Sequence, residues 1–157
     1  VIKAMGEFLS YVRARVEREG QDATVRPRPE LATRLTGQFT KLAICLALVL
    51  DRRSIDAECL RIVKKVVLDT GESYQLEVIQ LLYRTSKGYT ALQLSLTMGG
   101  SEDLARRLLR DMEELGIDKR NSENKRSGQR GRNRHVYLLG DHMRNLCRTI
   151  KLPRRTR

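Results

Sequence analysis

Tryptophan is absent, and two Phe and five Tyr leave the chain only 4% aromatic. That scarcity disfavours the single-strand binders that stack bases on aromatic platforms. The Cys count is three, an odd number, which argues against a secreted disulfide framework. A reducing, intracellular setting (cytoplasm, nucleoid or nucleus) is therefore expected. No apolar run approaches the ~20 residues of a membrane span, so no membrane partner is expected. The longest such run, Leu42 to Leu50, stops at Asp51-Arg52-Arg53. The opening residues carry no signal-peptide pattern. The first is Val1 rather than Met, so the chain is expected to be a piece of a longer protein. There is no GxxxxGKS/T loop, no GxGxxG, no HExxH and no GxSxG. Nucleophile, base and orienting group are nowhere visible together, so catalytic residues and a resident cofactor are not expected here. His135, His142 and Cys147 fit no Cys/His zinc spacing, and a metal site is not expected either.

What is present is charge of one sign, unevenly placed. The 157 residues are 40% hydrophobic and 32% charged, enough to bury a core in one ordinary domain or two small ones. The net charge is +12. Residues 119–157 hold 13 Lys and Arg against Glu123 and Asp141, while residues 1–118 are nearly balanced. Localised basic charge attracts polyanions and releases their counterions.

The first half reads as helices. Ile2, Met5, Leu9, Val12 and Val16 recur at helical spacing, and Gly20 closes the segment. Val25-Arg26-Pro27-Arg28-Pro29 reads as an extended linker, because each Pro pushes its predecessor out of the helical region. A second helix is predicted from Glu30 to Leu50, apolar nearly all round towards its end and therefore expected to be buried there. Cys45 and Cys59 fall in such stretches and read as small core residues. Asp56 is the predicted N-cap of a third helix over Ala57 to Asp69. Thr70-Gly71-Glu72-Ser73 stops it and gives the expected boundary between a helical unit, residues 1–71, and a second unit, residues 72–143. Residues 144–157 read as a basic tail.

The second unit has a different grammar. A helix carries Leu76, Val78, Ile79, Leu82 and Tyr83, and Ser86-Lys87-Gly88 ends it. Thr90 with Gln93 is a capping box for a short helix, and Met98-Gly99-Gly100 is a tight turn. Ser101 caps a longer helix whose buried stripe is Leu104, Ala105, Leu108, Leu109, Met112 and Leu115. A strand is predicted at Ile117–Arg120, a Gly/Ser/Arg-rich loop from Asn121 to Asn133, and a strand at His135–Leu139. This order is that of a winged helix-turn-helix, three helices and a β-hairpin wing. The predicted fold class is thus mainly α, a small helical bundle followed by a winged helix. Arg106, Arg107 and Arg110 lie opposite the leucine stripe, where a major-groove or phosphate-facing surface needs arginine. The competing reading is a solvated face, with Asp111, Glu113 and Glu114 pairing with those arginines. Lys119, Arg120, Lys125, Arg126, Arg130, Arg132 and Arg134 extend the DNA-binding set along the hairpin. Basic side chains on a loop that buries nothing gain order by binding phosphates.

Residues 30–71 with a winged helix behind them resemble the C-terminal region of the MCM replicative helicases, an AAA+ lid followed by a winged helix. Ala32-Thr33-Arg34, Lys41-Leu42-Ala43 and Ala47 follow the lid-helix pattern T-A-R-x-L-x-x-x-x-R-L-A-x-A-x-A. Ser54 to Asp69 looks like the segment that usually comes next. The resemblance implies that Arg34 stands in the sensor 2 place, where an arginine reaches a nucleotide's phosphates. It further implies ATP and Mg bound by the rest of a full-length helicase, DNA as partner, and a homo-oligomer assembled through the rest of the protein. Thr36-Gly37 replaces the family's usual Leu-Glu, and Gly inside a helix costs about 0.5–1 kcal/mol relative to Ala. AAA+ initiators and viral or plasmid helicases share the same order of units. Two other readings stay open: a stand-alone dimeric winged-helix transcription regulator using the Ile2–Val16 seam as interface, and a winged-helix protein-interaction module regulating a replication ATPase.

Overall fold

The computed structural model describes residues 1–14, 16, 18, 19, 22, 23, 29–123 and 134–153. The described fold is mainly helical with two small two-stranded antiparallel sheets. Helix α1 spans Ile2–Arg13, and short strands β1 (Arg18–Glu19) and β2 (Asp22–Ala23) pair behind it. Helices α2 (Pro29–Val49) and α3 (Ala57–Thr70) follow. Then come α4 (Tyr74–Arg84), α5 (Ala91–Met98) and α6 (Glu102–Glu114). Strands β3 (Asp118–Glu123) and β4 (Arg134–Leu139) form a hairpin, and α7 (Asp141–Thr149) closes the described chain.

Local chemistry sets most helix starts. The Asp56 side chain accepts from the Cys59 N–H at 2.9 Å, the Ser101 hydroxyl accepts from the Leu104 N–H at 3.2 Å, and Thr90 and Gln93 form the reciprocal capping box. Each side-chain acceptor satisfies one of the first-turn N–H groups that have no partner within the helix. The Cys59 backbone bond also holds the Asp56 carboxyl below its usual range.

Helix α1 ends earlier than its stripe predicts. Ala14 turns extended, and its carbonyl accepts from the Gln75 side-chain amide of α4 at 3.2 Å, a contact that sequence spacing cannot reveal. Met5, Phe8, Leu9 and Val12 are buried within the chain itself, so the seam considered as a dimer interface is already covered. The approach of α1 to α2 is close enough to require glycine. A Cβ on Gly6 would meet the Thr36 hydroxyl and lie 2.8 Å from the Thr36 backbone nitrogen. Gly37, by contrast, is exposed, with nothing within 4 Å of an added Cβ, so packing does not demand it.

The C-terminal half of α2 departs from expectation. Leu35, Phe39, Ala43 and Ala47 form the buried stripe, while Ile44 is 47%, Leu48 74% and Val49 82% exposed, and Cys45 is exposed as well. Apolar character all round the helix therefore does not mean burial all round. α1 and α3 cover only one side of it, and the periodic stripe, not the mean hydropathy, marks the covered face. Cys59 is buried as read.

One continuous core joins Met5, Leu9, Phe39 and Val67 of α1–α3 to Ile79, Leu109, Ile117 and Met143. α7 runs across the boundary expected at residue 143. Leu146, Cys147, Ile150 and Leu152 are buried in a stretch read as a basic tail, because apolar residues at helical spacing lie between its basic ones. His142 also reaches α1, with Nε2 2.9 Å from Glu7 Oε1 and its ring edge-on to Tyr11.

The hairpin register runs from Asp118↔Leu139 to Glu123↔Arg134, so β3 continues three residues past its predicted end into the expected loop. Ile117 precedes β3 and is fully buried. Tyr89 adds an antiparallel bridge on the other edge of β4, its N–H donating to the Tyr137 carbonyl at 3.0 Å and its carbonyl accepting from Tyr137 at 2.9 Å. Gly88 permits that approach. Its φ is +75°, and a Cβ there would press on the Tyr137 carbonyl and lie 2.7 Å from Val136 Cγ1.

Candidate nucleic-acid interface

Helix α6 divides its residues by face. Ala105, Leu109 and Met112 are buried, and Arg106, Arg107 and Arg110 project outward from the opposite side. Arg106 binds Glu102 one turn back at 2.7 Å, and that hydrogen bond strengthens its hold on its proton. Both side chains are more than a third exposed, so such a pair is worth little and opens readily to a competing anion. Arg107 and Arg110 make no ion pair among the described residues. The pairing considered for this face, with Asp111, Glu113 and Glu114, is replaced for Arg106 by Glu102 and for Glu113 by a strand residue.

That strand residue is Arg120. Its Nε lies 3.3 Å from Glu113 Oε1, which ties the outer end of α6 to β3. Lys119, its neighbour, faces the other way, as alternate strand residues must. Its ammonium meets Asp141 Oδ2 of α7 at 2.5 Å and holds that carboxyl below the usual range. The structure therefore ties Arg120 to Glu113 of α6, the helix that carries the three arginines, and sends Lys119 to α7. Lys125, Arg126, Arg130 and Arg132 lie outside the described residues. Arg134 opens β4 opposite Glu123, and its side chain lies outside the described part. Arg34 is exposed on α2, within a different set of helices.

Sequence reasoning passed over the most unusual group near this surface. Asp118 is only 4% exposed, and neither carboxylate oxygen has a hydrogen-bond partner. Burial first, and then the Glu113 charge, push its pKa up to about 8. The signal was faint: an acidic residue at the first strand position after a core Ile. Arg84 at the end of α4 is similar, with Nε and one terminal nitrogen buried and without a partner. Among the described residues no group of three His, Cys, Asp or Glu could hold a metal ion. Cys147 is buried, and its thiol is pushed up to about 12, the opposite of an activated nucleophile. None of the described helices is long and apolar enough to cross a membrane. The chain matches no protein-family model and no curated protein.

Proposed function

We propose that residues 72–143 are a winged helix-turn-helix that binds duplex or forked DNA, and that the chain is the C-terminal part of an MCM-like AAA+ replication helicase with residues 1–71 as its lid. The observation that carries the DNA-binding reading is the outward face of α6. Three arginines stand there opposite a buried stripe, two of them without an ion pair among the described residues, and Arg120 of β3 is tied to the same helix through Glu113. Arginine forks suit both phosphates and guanine edges. The β3–β4 hairpin following α6, with Tyr89 bridging β4, suits a wing. In this reading α6 enters the major groove and the hairpin follows the backbone.

The test is duplex binding by fluorescence anisotropy for wild type and Arg107→Ala/Arg110→Ala. Both residues are exposed, so folding is expected to be unaffected. Each lost base contact is expected to cost about 1–3 kcal/mol in a sequence-dependent way. Unchanged affinity on every duplex removes α6 as the reading helix and favours a protein-interaction role.

The helicase reading rests on the lid-like order of α2 and α3 and on Arg34. In the full-length helicase, ATP and Mg are bound outside this chain, and the exposed Arg34 guanidinium is free to reach a phosphate. Arg34→Ala in that protein is expected to lower ATP turnover about tenfold or more, the scale of one charged contact made in the transition state. DNA binding by residues 74–139 is expected to stay as in wild type. Unimpaired turnover removes the sensor assignment.

A further inference from the structure

α3 reaches the turn that follows α7 through a bond between residues far apart in sequence. The Lys64 ammonium donates to the Lys151 backbone carbonyl at 3.0 Å, across 87 positions. Lys151 follows the last turn of α7 with φ 50°, and on either side of it Ile150 and Leu152 are 2% and 4% exposed. The end of α7 is thus anchored in the core while its charged side chains face out. Arg148 on α7 and Lys151 just after it are exposed, and Lys65 is exposed next in sequence to the half-buried Lys64 on α3. None of these four cations forms an ion pair among the described residues. Of the nearby acids, Asp56 pairs with Arg52, Glu58 with Arg61 and Asp141 with Lys119, while Asp69 stands one turn beyond Lys65 on α3 and forms no ion pair with it among the described residues. The Lys64 bond brings the ammonium of Lys64 to the backbone of Lys151, with Lys65 and Arg148 one and three positions away in sequence, and like charges held this close cost free energy unless an anion lies among them.

We propose that the α3–α7 junction is a second polyanion-binding surface, taking the backbone phosphates of a nucleic acid on elements separate from α6 and the hairpin. The choice of nucleic acid rests on the DNA-binding reading above. Three of the four groups are lysines, compact point charges rather than forks, so contact here is with phosphate and carries no sequence preference. Lys64 spends one of its three N–H donors on the Lys151 carbonyl and keeps two for a phosphate. Its bond fixes where the cluster sits, which a loose basic tail would not.

The experiment is a salt titration of random-sequence duplex binding by the full chain, read by fluorescence anisotropy. The variant is Lys65→Gln/Arg148→Gln/Lys151→Gln. It keeps Lys64 and its carbonyl bond, and all three positions are exposed. The slope of log K against log salt is expected to flatten by about 0.9 per lost contact, and low-salt affinity to fall about tenfold or more. The charge-keeping set Lys65→Arg/Arg148→Lys/Lys151→Arg is expected to restore the slope. Should the Gln variant melt early, Lys65→Glu alone is expected to give the same direction of change. Wild-type slope and affinity in folded Gln or Lys65→Glu variants overturns the proposal. If Arg107→Ala/Arg110→Ala still weakens binding in that case, the DNA reading of α6 survives without the junction. Polyglutamate serves as a second probe. Loss of its binding with duplex binding intact also overturns the proposal and assigns the surface to an acidic protein.

Discussion

Replacing Arg126, Arg130, Arg132 and Arg134 together with Ala is expected to weaken duplex binding by orders of magnitude at low salt and to leave the melting temperature nearly unchanged. Residues 124–133 include no apolar side chain, so they have little to contribute to a core. They do include Lys125, Arg126, Arg130 and Arg132, with Gly128 and Gly131 between. Each arginine that meets a phosphate releases about one counterion, so losing two to four contacts flattens the slope of log K against log salt by roughly 0.9 each. The loss is expected to be the same on every duplex, because phosphate contacts position a protein without reading sequence. That separates the hairpin from Arg107 and Arg110, whose removal is expected to discriminate between sequences. A salt titration by fluorescence anisotropy on wild type and the four-Ala variant decides it. Identical affinity and slope in the two proteins put the protein-interaction reading first.

The second large effect is on stability and follows pH. Asp118 has a folded pKa of about 8 against an ordinary value of 3.8. Between those values the folded chain holds a proton that the unfolded chain has released. Stability therefore falls as pH rises from about 4 to about 8, by up to about 1.4 kcal/mol per pH unit, and then levels off. The groups around Asp118 are Glu113 from α6 and Tyr137 from β4, with Arg120 of its own strand drawn to Glu113. None of them offers its carboxylate a hydrogen bond among the described residues. Asp118→Asn cannot ionise and is expected to lose most of this pH dependence. Its amide still lacks a partner, so the slope with pH is the informative quantity and the absolute stability is not. Glu113→Gln removes the nearby like charge and is expected to move the fall towards lower pH-sensitivity without abolishing it. Thermal melts of the three proteins from pH 5 to 9 measure this. Equal slopes in wild type and Asp118→Asn would show that Asp118 is ionised when folded.

By itself the sequence determined the features that are chemically local. Caps at Asp56, Thr90 and Ser101 are short-range hydrogen bonds between residues three apart, so the residue types at those spacings suffice. The inward and outward faces of α6 follow in the same way from a period that places Leu109 and Met112 on one side and Arg106, Arg107 and Arg110 on the other. Tertiary structure decided what depends on neighbours. The end of α2 is apolar on every side, so composition carried no information about which side α1 and α3 would cover; Leu48 and Val49 ended outside and Ala43 and Ala47 inside. The segment after Arg144 looked like a tail because its charges are conspicuous, yet Leu146, Cys147, Ile150 and Leu152 had a place in the core once α1 lay across from them. Lys119 and Arg120 are adjacent in sequence and read as one basic set, but the strand pleat sends one to Asp141 and the other to Glu113. Lys64 and Lys151, unremarkable apart, are neighbours only because the tertiary fold brings α3 to the turn after α7. In each case the deciding free energy lies in burial and in bonds between distant segments, and a periodic pattern encodes only the first of these, and only where the pattern is one-sided.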